Sequence, residues 1–382
     1  MTKILYFIII VTFMDTFVQL PIISPFAIDL GASEVMAGVI VGIYSFSNMF
    51  GNIIGGIGVD RLGRKRVLLF AMAAVFLLLL CYPLVETDLQ LLLLRFVHGV
   101  FGGILIPASF AIVGDLSRRK NGQASMAYTG AAIGIAAIAG PAIGGIMAAR
   151  SEISYVFLFV AGLFLLSFFL GWKFVPRTLP EEKRQKVALS GFLPILKNRQ
   201  VWQASVAAFA LMVSNGTLAF ALPLQVESFG LSASLAGAFL SIFGITALII
   251  FITPLNKVYR KYSSLLLVLA GLLLIGLSLL LLPFIGGGTG TGVLMVVYGI
   301  GFALIFPSMN EMVAHSSKET DRGKAYGVFY AFFSLGVVAG SSGAGAMEQW
   351  MSSPFLGSGG FMLLIAMVLW RSGHVSGALF IR

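Results

Sequence analysis

Asp15 and Arg95 are the residues of this 382-residue chain best placed to do chemistry, because each is ionisable and each lies inside an apolar run. Asp15 stands in Thr12-Phe13-Met14-Asp15-Thr16-Phe17-Val18-Gln19-Leu20-Pro21, eleven residues past Ile4, where the run begins (15 − 4). A charge held in hydrocarbon costs about 2.5–3.5 kcal/mol on insertion scales, so it is a functional residue by default. Desolvation favours the protonated form of an acid, which makes Asp15 a candidate proton carrier. The alternative is a neutral acid that hydrogen-bonds between helices. Gln19 lies one turn on, on the same helical face. Arg95 stands in Leu91-Leu92-Leu93-Leu94-Arg95-Phe96-Val97-His98-Gly99. An arginine does not release its own proton under ordinary conditions. Its role would be to hold a partner carboxylate, and Asp15 is the only deep one. His98 reads two ways, as a proton relay or as a packed histidine donating to a backbone carbonyl.

These residues need an apolar scaffold, and the composition supplies it. Hydrophobic residues make up 58% of the chain and charged residues 10%, against roughly 25% charged in a soluble domain. A helix needs about 20 apolar residues to cross a bilayer. Twelve such runs occur, at about 4–27, 35–59, 67–85, 89–114, 123–148, 154–175, 201–226, 232–255, 263–284, 291–313, 324–346 and 354–373. The expected fold class is an all-α membrane protein with twelve transmembrane helices.

The net charge of +10 would suit a nucleic-acid partner, but its distribution argues against one. Of 25 Lys and Arg residues, only Arg95 and Arg150 fall outside the loops and ends that one alternating topology makes cytoplasmic. The opposite loops carry Asp29, Glu34, Glu86, Asp88, Glu152, Glu227 and Glu348. This positive-inside bias predicts an even number of spans with both termini cytoplasmic. Short loops suit a bacterial inner membrane. The first run lacks a small-residue cleavage pattern, so no cleavable signal peptide is expected. With one cysteine, Cys81, and scattered histidines at 98, 315 and 374, neither a metal site nor a cofactor is called for. No nucleotide-binding loop of the G-x-x-x-x-G-K-[ST] type is present, and an enzyme is not expected.

The long polar segment 176–200 divides the chain into an N-terminal six-helix bundle, 1–175, and a C-terminal one, 201–382. Its run Leu189–Leu196 could form a helix on the membrane surface. The halves match weakly. Ile106-Pro107 to Asn121-Gly122 parallels Phe306-Pro307 to Arg322-Gly323. Two parallel repeats of this kind predict two pseudo-symmetric six-helix bundles with substrate bound near mid-membrane.

Between the second and third runs lies Gly55-Gly56-Ile57-Gly58-Val59-Asp60-Arg61-Leu62-Gly63-Arg64-Lys65-Arg66. Gly56 is expected to let two helices approach closely, and Gly63 to permit a tight turn. The stretch resembles the signature loop between helices 2 and 3 of the major facilitator superfamily, and the chain is closest to its twelve-span drug:proton antiporter branch. The resemblance implies the major facilitator fold and a cytoplasmic latch of Asp60, Arg61, Arg64, Lys65, Asp115 and Arg118 around Gly56 and Gly63. The bland alternative is a solvated interfacial cluster. Leu91-x₃-Arg95-x₃-Gly99 resembles a helix 4 pattern in which the arginine is implicated in proton coupling. Gly134, Gly140, Pro141, Gly144 and Gly145 resemble the helix 5 element of the family's antiporters, which points to export. Gly336, Gly340, Gly343 and Gly345 are read as its copy in the second half.

By the same resemblance, polar and aromatic residues on the inner helices would line a substrate cavity. The candidates are Gln19, Tyr44 and Asn48 in the first half, and Asn215, Asn310, Glu311, Phe329 and Tyr330 in the second. Such a lining suits amphiphilic molecules. The functional reading is a proton-coupled exporter of small amphiphilic or lipophilic molecules, working by alternating access as a monomer in the lipid bilayer. The alternative is a dedicated exporter of one metabolite, siderophore, sugar or lipid-linked glycan.

Overall fold

The computed structural model describes residues 2–119, 123–175, 198–285, 287–316, 322–351 and 353–374. The side chains of residues 2, 60, 113–119, 123–130, 322–324, 351, 373 and 374 are outside that description. So is the segment 176–197, which holds most of the expected linker and its surface helix.

The described residues are helical throughout, without strands. The long elements are α1 (Thr2–Gln19), α2 (Ile23–Asp29), α3 (Glu34–Leu62), α4 (Arg64–Cys81), α5 (Asp88–Arg119), α6 (Gln123–Arg150) and α7 (Ile153–Phe174). They continue with α8 (Arg199–Ser228), α9 (Ala233–Ile252), α10 (Ser264–Leu281), α11 (Gly288–Ser316), α12 (Arg322–Met351) and α13 (Pro354–His374). Eleven described helices are long and apolar enough to cross a membrane, and α1 with α2 makes a twelfth as one broken span.

That break corrects the single first helix expected over 4–27. α1 and α2 meet at a bend of 47°. Pro21 supplies no amide hydrogen, and its ring conflicts with the carbonyl four residues back. The turn is closed instead by the Leu20 amide on the Phe17 carbonyl and the Ile22 amide on the Gln19 carbonyl.

The chain forms two compact units, one of Met1–Arg184 with Ser232–Ser241, the other of Gln185–Leu231 with Ile242–Arg382. In the first unit α3 packs closely along α5. Gly51 and Gly55 leave room for the α5 backbone at Val100, Gly103 and Ile104, while Gly99 and Gly103 leave room for α3 at Tyr44 and Asn48. Gly56 has nothing within 4 Å of where a side chain would stand, so the close approach belongs to Gly55. Gly63 does make the turn between α3 and α4, with φ at +88°.

Gly140 and Gly144 of α6 pack on Phe17 and Val18 of α1, and Gly145 on Gly237. In the second unit Gly336 and Gly340 of α12 pack in the same manner on Phe209 and Val213 of α8. Each unit thus seats a glycine face against its first long helix. Other features recur too. α4 ends in a tight 3-10 turn over Tyr82–Leu84 and α10 in one over Leu282–Phe284, each containing a proline. Pro107 and Pro307 lie inside α5 and α11.

Alanine at position 103 drives a methyl group into the α3 backbone. Gly103→Ala is therefore expected to destabilise the protein by about 1–3 kcal/mol. Gly56→Ala is expected to be neutral or stabilising by up to about 1 kcal/mol. Thermal unfolding in detergent reads both, and equal losses would contradict this packing.

Candidate functional site

The broken first span places Asp15 and Gln19 in the final turn of α1, facing α3 and α5. Asp15 is fully buried, and Gln19, Tyr44, Arg95 and His98 around it are each at most 5% exposed. No water can reach such groups, so each must find its partner within the protein.

Gln19 makes the central bridge. Its Nε2 donates to Asp15 Oδ1 at 2.8 Å, and its Oε1 accepts from Arg95 Nη1 at 2.7 Å. The Arg95 guanidinium also donates from Nε to the Ile40 carbonyl at 2.7 Å and from Nη2 to the Val41 carbonyl at 3.3 Å. It lies 5.2 Å from the centre of the Tyr44 ring. Tyr44 in turn donates its hydroxyl to Asp15 Oδ2 at 3.3 Å. The expected pairing of Arg95 with Asp15 therefore holds only at one remove, through an amide that donates to the acid and accepts from the base. Gln19 and Tyr44, expected in a substrate cavity, belong to this buried charge network instead.

His98 is also drawn in. Its Nε2 lies 3.1 Å from Asp15 Oδ2, off the line of a full hydrogen bond, and its Nδ1 is 3.0 Å from the Tyr82 hydroxyl. The ring is tied to side chains, not to the backbone carbonyl that a packed histidine would use.

The second unit holds an uncharged counterpart. Asn215 of α8 donates to the Tyr298 hydroxyl of α11 at 3.1 Å, and Ser214 lies 2.8 Å from the same oxygen. Phe243, Tyr298, Phe302 and Phe306 form a continuous aromatic row there, with neighbouring centroids 5.4–5.7 Å apart.

The other expected site residues fall in several places. Arg64 donates to the Ala111 carbonyl at 3.2 Å and Lys65 to the Trp172 carbonyl at 2.6 Å, so both brace the start of α4 within the first unit. Arg61 is exposed, and the side chains of Asp60, Asp115 and Arg118 lie outside the described residues. In α6, Pro141 sits inside the helix and Gly134 is half-buried. Asn48 accepts from Asn52 at 2.9 Å. Asn310 donates to the Phe306 carbonyl, and Glu311 accepts from Ser264 at 2.7 Å with His315 3.9 Å away. Phe329 is wholly buried and cannot line an open cavity; its neighbour Tyr330 is the exposed ring. The break at Pro21, the Gln19 bridge and the Tyr82 contact were not anticipated. Pro21 and Pro25 could have signalled the first. No local pattern announces the other two.

Membrane-crossing helices in two units, with a buried acid on the broken span joined through one amide to a base on α5, make this a multi-pass membrane protein. The family model described as Major Facilitator Superfamily matches residues 5–341 and 293–378, and the chain belongs to that family. Among curated proteins, it is 24% identical over 351 residues to the multidrug resistance protein MdtG of Escherichia coli O9:H4 (strain HS), spanning 89% of this chain and 85% of that protein. It is 26% identical over 359 residues to the quinolone resistance protein NorA of Staphylococcus aureus strain Mu50, spanning 90% and 89%. The fold matches a POT family transporter in complex with 5-aminolevulinic acid, with a TM-score of 0.79 at 15% identity over 98% of this chain and 96% of that one. It also matches the human organic anion transporter MFSD10, with a TM-score of 0.70 at 18% identity over 96% and 98%.

If Gln19 transmits the Arg95 charge to Asp15, removing either end leaves the other buried and uncompensated. Arg95→Leu is expected to cost about 3–5 kcal/mol. Combined with Asp15→Asn, the loss should fall short of the sum of the single losses by about 1 kcal/mol or more. Strict additivity in thermal unfolding would show that the two do not communicate.

Proposed function

We propose that this chain is a proton-coupled exporter of small amphiphilic or lipophilic molecules, working by alternating access. The observation that carries the reading is Asp15, a fully buried acid at the break of the first span, linked through one amide to a buried arginine. Coupling sites in secondary transporters are commonly built at such broken helices near mid-membrane. Protonation of Asp15 from the outside would release substrate, and loss of that proton inward would permit rebinding, with Arg95 tuning the exchange through Gln19.

The relatives named for multidrug and quinolone resistance support lipophilic cargo. The half-buried rings of Phe302 and Phe306, with few polar groups beside Asn215, offer the kind of surface that binds it. The glycine face of α6 that receives α1 supports an antiporter, since it is the element whose sequence resembles that branch. Six helices on each side of a cytoplasmic linker at 176–200, both termini cytoplasmic, a bacterial inner membrane and a monomer complete the proposal. The signature-loop residues and Asp115 and Arg118 would form its cytoplasmic latch.

Purified protein in proteoliposomes, with an imposed pH gradient and ethidium as probe, provides the test. Wild-type protein should move ethidium against the proton gradient, and Asp15→Asn should lower that movement at least about tenfold, as expected when the proton carrier itself is removed. Full gradient-driven transport by Asp15→Asn would remove Asp15 from the mechanism. No transport by folded wild-type protein would remove the exporter reading for this cargo.

A further inference from the structure

His98 is a buried imidazole beside Asp15 that the mechanism above does not use. The groups facing it come from every packed element: Asp15 of α1, Tyr44 of α3, Tyr82 at the end of α4, and Arg95 on its own helix. The Tyr44 ring stands edge-on to the imidazole at 5.3 Å, and Tyr82 is itself stacked on Phe157 at 4.0 Å. His98 is therefore clamped with one nitrogen toward a hydroxyl and the other toward a carboxylate.

The hydrogen-bond directions follow from what each group can donate. An ionised Asp15 only accepts, so the neutral imidazole beside it carries its hydrogen on Nε2, 3.1 Å from Asp15 Oδ2. That leaves Nδ1 to accept from the Tyr82 hydroxyl at 3.0 Å. Arg95 reaches the same carboxylate through Gln19.

The repeat argues that this histidine is not there merely to tie helices. Tyr298 stands 200 positions after His98 (298 − 98), as Pro307 stands 200 after Pro107 (307 − 107). Asn215 likewise stands 200 after Asp15 (215 − 15). Asn215 and Tyr298 make the same contact between the same pair of repeat-related helices, at 3.1 Å, with no titratable group near neutrality. An uncharged pair suffices for the structural tie. The first unit carries an acid and an imidazole at those positions instead.

We propose that His98 is a second protonation site of this chain, coupled to Asp15, so that the proton taken up here is shared across the pair while Tyr82 fixes the imidazole. The inference rests on the exporter reading for its place in transport, but not for the coupling itself. One added proton has two homes. On Asp15 Oδ2 it gives a neutral acid aimed at Nε2, with the neutral imidazole's own hydrogen now on Nδ1. On His98 Nε2 it gives an imidazolium beside a carboxylate, with Nδ1 again carrying its hydrogen. In both the Tyr82 hydroxyl has turned to accept from Nδ1. Both forms carry the same net charge and differ only in where that proton sits.

The chain has three histidines, so His315→Gln with His374→Gln leaves His98 as the sole imidazole. Nitrogen-15 spectra of histidine-labelled protein in detergent, without substrate or gradient, then report its tautomer and titration directly. The neutral ring should carry its hydrogen on Nε2 and should take up a proton as the pH is lowered. Asp15→Asn should lower its proton affinity by about tenfold or more, because the facing negative charge is gone. Tyr82→Phe should weaken the preference for hydrogen on Nε2 by removing the donor to Nδ1, and it serves as the test should Asp15→Asn fail to fold. A His98 that never takes up a proton, or titrates alike with and without Asp15, would overturn the coupling. If His98 titrates as expected but wild-type proteoliposomes show no proton-driven transport, the exporter reading fails and the coupled pair stands. If both hold, His98→Gln should shift the pH profile of transport, whereas Asp15→Asn should abolish the gradient dependence. An unchanged profile in His98→Gln would place His98 outside the transport cycle.

Discussion

The burial of Asp15 and Arg95 in a medium that cannot solvate them is the constraint on which the first unit is organised. Every donor and acceptor near these charges must be matched inside the protein. Gln19 both donates to the acid and accepts from the base. A hydrophobic residue there would leave both charges unmatched, and a second acid or base would unbalance them. Ile40 and Val41 supply the remaining acceptors for the guanidinium, which fixes the height of α3 against α5. The glycines along that interface follow from the same need. Only with backbones close together do carbonyls of one helix come within reach of a guanidinium on the other.

The broken first span comes from Pro21, and it ends α1 just past Gln19, so that the acid and its amide partner share the last turns of one helix. The glycine face of α6 presses on Phe17 and Val18, the turn just before that break. The close packing of α6 therefore falls on α1 beside its buried acid.

Much of this was legible in the sequence. Helix ends came within a few residues of expectation because long apolar runs bounded by charge leave little choice of boundary. Asp15 and Arg95 stood out for the same reason, as charges where charges are costly. What escaped was phase and partnership. Gly55 and Gly56 are adjacent and identical in type, yet they face directions a helical step of about 100° apart, and only packing tells which one meets α5. Phe329 and Tyr330 pose the same problem on α12, where the buried ring and the exposed ring are neighbours. Gln19 looked like a cavity residue because a polar side chain beside an acid serves substrate or network equally well on paper. Its partner comes from a helix 76 residues away, and no local pattern encodes that distance.

The two halves separate what the fold requires from what chemistry requires. Both seat a glycine face against their first long helix, both end a helix in a proline turn, and both join the first helix to the fourth by a buried polar contact. Those shared features are the price of assembling the bundle, and Asn215 with Tyr298 shows that the contact needs no charge. The aromatic row runs on from Tyr298 through Phe302 and Phe306, with surface left for an apolar molecule. Ionisable groups concentrate on the other side of the repeat, around Asp15. The glycine face and the proline turn thus serve the bundle in both units, whereas, among the described residues, the buried acid and base belong to the first unit alone.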